Sequence, residues 1–278
     1  MGFKIIGDSC CDLTRELRSE MNVEIVPLTI DVEGKRYIDD DSLDTFELLK
    51  DMKKSSTVPK TSCPSPNDYM KVYEGEGDIF VSTLSSELSG SYNSAVLAKK
   101  LFLEENSDKF IHVFDSKSAS TGQALIAIKV YELKKAGYES AEVVEIVEKY
   151  ISEMNTFFIL ESLDNLIKAG RIGLLKGKLA TILSIVPIMT SNDKGQIDLF
   201  ENIRGSKKAF KRLINVIGEH GVDLEEKVLA ITHCNCPDKA IQFKEEAMEK
   251  YNFKDIVISE NHGISTVYAN DGGLIISF

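Results

Sequence analysis

Hydroxyl side chains crowd into one window of this chain. Ser82, Thr83, Ser85, Ser86, Ser89, Ser91 and Ser94 put seven Ser or Thr into thirteen residues. The apolar run Ile79-Phe80-Val81 precedes them, and Ala95-Val96-Leu97-Ala98 with two lysines follows. The window reads as a strand, a loop and the opening of a helix, which is half of a βαβ unit. Free N–H groups and the positive dipole end at such a helix start favour an anion. One or two hydroxyls there would only cap the helix; seven exceed what a cap uses and lean toward a ligand. A second group lies at 55–66 (SSTVPKTSCPSP), read as a loop because Pro59, Pro64 and Pro66 forbid regular structure. A loop this stiff either holds Thr61 and Ser62 as oriented donors or simply connects, ending in a Ser65-Pro66 helix start.

Other chemistries find less support. No G-x-G-x-x-G follows a strand, and 170–178 (GRIGLLKGK) misses the P-loop spacing. H-E-x-x-H and the G-x-S-x-G elbow are absent. Among the four histidines, His112 alternates within a strand and reads as structural. His220 suits a helix C-terminus, while His262 stands in a loop between strands, where an imidazole can face a cleft. His233-Cys234-Asn235-Cys236 offers soft ligands, but no second cluster completes a metal site. The five cysteines are an odd number without a C-x-x-C pair and read as free thiols. Arg171, flanked by Gly170 and Ile172-Gly173, is set in a conformationally free stretch. Arg204, Lys207, Lys208, Lys211 and Arg212 form a basic window that reads as a solvated helix face or as a site for a phosphate or an acidic partner.

The elements that must position these residues follow from length and pattern. The 278 residues suit one large or two medium domains. A net charge of −11 argues against nucleic acid and against unaided adsorption to anionic membranes. The beginning, MGFKIIGDS, turns polar too soon for a signal peptide, and the best apolar run, 182–189, is short and holds Pro187. A cytoplasmic protein without stable membrane insertion is expected. Strands are predicted at 3–7, 24–32, 37–38, 79–81 and 111–114, and helices at 43–52, 119–135 and 140–154. The helix at 43–52 should turn Leu43, Phe46, Leu49 and Met52 inward. Asp8-Ser9, Ser82-Thr83 and Asp115-Ser116, each at a strand end, would line one rim of a parallel sheet or else make Asx turns. Beyond 155 the pattern changes: strands at 156–160, 228–232, 255–259, 265–269 and 274–277, a hairpin around 193–195, and helices at 164–170, from 174 to 185, at 206–219 and at 238–251. The expectation is an α/β protein of two α/β domains, 1–155 with a mainly parallel sheet and 156–278 with a mixed sheet.

The order Asp8-Ser9-x-x-Asp12, Thr61-Ser62-Cys63-Pro64-Ser65-Pro66, Leu88-Ser89-Gly90-Ser91-Tyr92-Asn93-Ser94-Ala95, Asp115-Ser116 and Lys168-Ala169-Gly170-Arg171-Ile172 resembles the DegV family over essentially the full length. The resemblance implies a bacterial, cytoplasmic binder of a long-chain fatty acid such as palmitate, with no further cofactor and no catalytic residue of its own. It implies an apolar tunnel at the seam between two α/β domains and a carboxylate held by Thr61 and Ser94. Ser62, Ser91, Arg171, Arg204 and His262 are implied as further head-group or partner contacts. Some members of the family are binding subunits that present the acid to a dihydroxyacetone-kinase-like fatty acid kinase subunit, which forms the acyl-phosphate. Two departures from the family pattern stand out: Cys63 where a polar residue such as Gln is usual, and 271–274 (DGGL) where a histidine- or proline-containing glycine turn is usual. Two other readings stay open. One is an acyl hydrolase with Ser94 as nucleophile and His262 as base; the other is a binder of a small phosphorylated metabolite at the helix start and the basic window.

Overall fold

The structure, a computed structural model, describes residues 2–172 and 184–278. The first apolar run forms β1 (Phe3–Asp8), which pairs in parallel with β2 (Val23–Val26) and β6 (Asp78–Thr83). Adding β7 (Ile111–Asp115) completes a four-stranded parallel sheet of order β2-β1-β6-β7. Between these strands run α1 (Arg15–Glu20), α2 (Thr45–Lys54), α3 (Pro66–Tyr73) and α4 (Ser91–Glu105). The expected strand at 24–32 is in fact two strands. Pro27 has no N–H to donate to a ladder, so β2 ends at Val26 and β3 (Thr29–Val32) enters a separate antiparallel sheet, β4-β3-β5, with β4 (Lys35–Ile38) and β5 (Lys60–Ser62). Residues 55–66 therefore hold a short strand rather than only a loop: Thr61 pairs with Ile30 between the flanking prolines. Of the residues expected inward around α2, Leu49 is buried and Leu43 and Met52 pack partly buried on the core, beside the fully buried Leu48, whereas Phe46 is 68% exposed.

The later part of the chain builds a mixed six-stranded sheet of order β10-β9-β8-β13-β11-β12. Its strands are β8 (Thr156–Ile159), β9 (Ile185–Ser191), β10 (Ile197–Arg204), β11 (Val228–His233), β12 (Asp255–Glu260) and β13 (Leu274–Ser277). Only β11 and β12 are parallel neighbours. The β9–β10 turn forms at 192–195 as expected, with Gly195 at a φ of 82°. A short α7 (Asp164–Lys168) precedes Arg171, and the helix expected from 174 to 185 falls mostly on 173–183, outside the described residues. Helices α8 (Ser206–His220) and α9 (Pro237–Met248) cover the sheet through Leu213, Ile217, Ala240 and Phe243. The expected strand at 265–269 is a helix, α10 (Gly263–Ala269). Nearly all its residues are buried, so no polar face reveals its period.

Between the two larger sheets lies α5 (Thr121–Lys135), its first seven residues all buried. Its first two turns, 121–128 (TGQALIAI), carry no charge on any side, which fits a helix end covered on several sides, and its charges come later at Lys129, Glu132, Lys134 and Lys135. Ala124, Ala127 and Val130 pack with β1 and with α6 (Ser140–Glu153), while Leu125 packs against Val228 and Ala230 of β11. No helix among the described residues is long and apolar enough to cross a membrane.

Three buried carboxylates tie distant segments to this frame. Asp8 accepts from the Cys10 and Leu84 amides, Gln123 Nε2 and Ser91 Oγ. Asp12 accepts from Ser120 Oγ at 2.6 Å, Asn261 Nδ2 at 2.8 Å and the His262 amide at 2.8 Å. Asp39 takes the first two free amides of α10, Gly263 at 2.7 Å and Ile264 at 2.9 Å. Gly263 permits that approach, since a Cβ there would lie 2.6 Å from Asp39 Oδ1. These charge-assisted bonds explain why α10 begins where it does.

Two predictions follow from this packing. Phe278 is fully buried among Phe157, Phe253 and the second sheet's core. Phe278→Ala should cost about 3–5 kcal/mol, read as a lower urea midpoint at unchanged slope. Burial pushes the Asp39 carboxyl up to about 6, against the α10 amides, Ser9 and His262, which pull it down. The folded chain thus holds this proton more tightly than the unfolded chain, and the destabilising contribution of the ionised form disappears as pH falls from about 7 to about 4. The melting temperature of the native chain relative to Asp39→Asn should rise over that interval. Asp8, raised by burial, and His233, lowered by burial, titrate in both proteins and cancel in the difference. Parallel melting curves for the two proteins would remove Asp39 as the cause.

Candidate functional site

A cavity of about 400 Å³ opens where the ends of the sheets, the α5 start and α10 converge, within the range of about 300–1,000 Å³ usual for small-ligand sites. Its walls are mostly aliphatic and aromatic: Leu28, Leu84 and Leu88 from the first part of the chain, Phe158, Leu160, Ile197 and Ile275 from the second sheet, and Leu166 from α7. Strand alternation puts Thr156, Phe158 and Leu160 on the same side, facing the cavity. Small residues before α5, Ser118-Ala119-Ser120, leave the space open.

Thr61, Ser62 and Cys63 reach the cavity from β5 and the residue after it, opposite Leu88, Ser89 and Gly90 at the α4 start. Thr61 Oγ1 is 2.8 Å from the phenol oxygen of Tyr268. Cys63 Sγ packs close to Gly90, where an added Cβ would meet it at 3.0 Å. Ser94, on the first turn of α4, has its Oγ 4.0 Å from that sulfur; it lies beside the cavity residue Cys63 and does not itself border the cavity. Arg171 also borders the cavity. Its Nε donates to the Leu88 carbonyl at 3.2 Å and Nη1 to the Ala169 carbonyl at 2.6 Å, which fixes a cation beside the hydroxyls and leaves other N–H donors on the guanidinium.

Three of the expected contacts lie elsewhere. Ser91 is fully buried and gives its hydroxyl to Asp8 Oδ2 at 2.6 Å, with Tyr69 on its other side, so it braces β1 against α4 rather than facing the cavity. His262 caps α10 through its backbone and sits beside Asp39; the residues of α10 that face the cavity are Ile264, Ser265, Tyr268 and Ala269. Arg204 is exposed at the last position of β10. It stands seven positions from the cavity residue Ile197, about 23 Å along a strand.

The Asp-Ser pairs make turns. Asp115 accepts from the Ser86 amide and hydroxyl and from the Lys117 amide, and Asp8 is committed as described above. A strand at 265–269, as the sequence predicts, does not single out Tyr268 and Ser265; in the helix that forms there, 264, 265 and 268 fall on one face. Burial, with Asp12 and Asp8 nearby, drives the Cys10 thiol far up, so the Cys10–Ser265 contact of 3.3 Å is between neutral groups and supplies no thiolate nucleophile. No group of three or more His, Cys, Asp or Glu among the described residues could hold a metal.

Comparison with known proteins adds an independent line. The profile of the DegV family, described as uncharacterised proteins, matches residues 2–278. A DegV domain-containing protein of Streptococcus pyogenes serotype M1 is 36% identical over 281 residues, spanning 100% of this chain and 99% of the relative. The crystal structure of a DegV family protein from Ruminococcus gnavus, refined with vaccenic acid, superposes with a TM-score of 0.96 at 46% identity over 99% of each chain. The Streptococcus pneumoniae fatty acid kinase B3 protein, loaded with linoleic acid, superposes with a TM-score of 0.91 at 33% identity, covering 100% of this chain and 99% of that one. The match of profile, sequence and fold runs from end to end, and the chain belongs to the DegV family.

Proposed function

We propose that this protein binds a long-chain fatty acid, with the tail in the apolar cavity and the carboxylate at the rim between Thr61 and Ser94. The observation that carries this reading is the pairing of an aliphatic cavity with a rim of hydroxyls and one fixed arginine. Relatives of the same fold carrying vaccenic and linoleic acid support it. In this reading the seam runs between 155 and 156: residues 1–155 form a domain that supplies the hydroxyls, and 156–278 a domain that covers the chain.

The energetics are adequate. Each buried methylene contributes about 0.8 kcal/mol, so about fifteen give about 12 kcal/mol gross. Association and ordering take several of these, which leaves roughly sub-micromolar affinity. The carboxylate cannot be buried bare. Thr61, Ser62, Ser94 and Arg171 are the donors that would meet it, and Cys63 sets how closely Ser94 approaches.

The protein acts, on this proposal, as a non-catalytic carrier in the cytoplasm, where its free thiols persist, and presents the acid to a separate kinase subunit for acyl-phosphate formation. The name of the Streptococcus pneumoniae relative supports that step. Arg204, exposed and remote from the cavity, then serves the partner rather than the head group. A hydrolase with Ser94 and His262 is disfavoured, because His262 does not border the cavity and the side chain beside Ser94 Oγ is the Cys63 thiol.

Native mass spectrometry of the purified protein should show an adduct with the mass of a long-chain fatty acid; a phosphorylated metabolite in its place would overturn the reading. Thr61→Val combined with Ser94→Ala should weaken fatty-acid binding by about tenfold or more with an unchanged melting curve. Steady turnover of a p-nitrophenyl acyl ester, lost in Ser94→Ala, would establish the hydrolase instead.

A further inference from the structure

The hydrogen bond between Thr61 and Tyr268 joins the rim strand β5 to α10, elements more than two hundred residues apart in the chain. Both side chains border the cavity. Among the described residues, neither hydroxyl has another hydrogen-bond partner. Two hydroxyls carry two protons, and one bond uses only one of them. One O–H donor at this point of the rim is therefore left for a ligand.

We propose that Tyr268 is a positioning residue that decides which donor that is: its phenol donates to Thr61 Oγ1, and the Thr61 proton is thereby turned toward the carboxylate. A phenol is a better donor than an aliphatic alcohol, so the pair prefers this direction. Accepting that bond polarises the Thr61 hydroxyl and strengthens its own donation. Both partners are held. Tyr268 packs against two apolar clusters, on the side of Leu28 and Leu48 and on the side of Phe158 and Leu166. Thr61 is β-branched and sits on a paired strand, which restricts its χ1. The result is selectivity for a charged acceptor, because a donor aimed at a carboxylate gives about twice the strength of one aimed at a neutral oxygen. The inference rests on the fatty-acid reading above.

The test is a double-mutant cycle on delipidated full-length protein, with Tyr268→Phe, Thr61→Val and the pair, titrated with palmitic acid and with methyl palmitate. Tyr268→Phe keeps the ring and its packing, and its melting curve should match the native one. The expected result is about a five- to tenfold loss for the acid, less than about twofold for the ester, and no further loss for the acid when Tyr268→Phe is added to Thr61→Val. Equal losses for acid and ester would make Tyr268 a piece of wall and overturn the proposal. A full additional loss in the Thr61→Val background would make it an independent contact and also overturn it, as would an unchanged acid affinity. If the native protein binds neither palmitic acid nor its ester, the fatty-acid reading fails and this inference falls with it; if it binds the acid and the cycle fails, only this inference falls.

Discussion

Carboxylates at 8, 12 and 39 are each 1% exposed or less, and a charge taken out of water is tolerated only where donors replace the water. This need sets the geometry of the centre. Asp8 gathers the end of β1, the start of α4 and Gln123 of α5. Asp12 gathers the residue before α5 and the loop after β12. Asp39, from the residue after β4, holds the first turn of α10. Remove any of these acceptors and a set of chain ends meant to converge loses its common point.

The cavity is a consequence of that convergence together with the placement of α5. A helix buried between two sheets brings its first turn, and the Ser118-Ala119-Ser120 residues before it, to the ends of the strands on both sides. These residues are too small to fill the space that the Leu, Ile and Phe side chains opposite them enclose. The same hydroxyls are bonded to protein partners from distant parts of the chain, Ser120 to Asp12 and Thr232, and Ser118 to Thr156. With these hydroxyls engaged by protein partners, a largely apolar surface is left facing inward.

The hydroxyl-rich window shows how structural and ligand roles divide within one stretch. Ser85 bonds the Gly195 carbonyl, Ser86 bonds Asp115 and Ser91 bonds Asp8, all of them holding loops. Ser89 borders the cavity, and Ser94 lies beside the cavity residue Cys63. Seven hydroxyls do exceed what a cap needs, but most of the excess is architectural.

Much of the frame was legible from local pattern. The apolar runs at 3–7, 79–81 and 111–114, alternating with helices, specified a parallel sheet, and the 192–195 turn specified a hairpin, because strand period and turn chemistry are properties of neighbouring residues. The helix start at α4 was legible for the same reason, whereas proline spacing at 55–66 left a connector and a set of oriented donors equally open and did not show the short β5 strand. What the sequence could not decide were the partners of each side chain. Ser91 and Ser94 are one turn apart on the same helix, yet one bonds Asp8 and the other lies beside Cys63. His262 looked like a cleft imidazole and proved to be a helix cap, while Tyr268, in a segment read as a strand, became the residue bonded to Thr61. Hydrogen bonds spanning 207 residues, like that one, depend on where two distant elements are packed, and only the tertiary structure sets that.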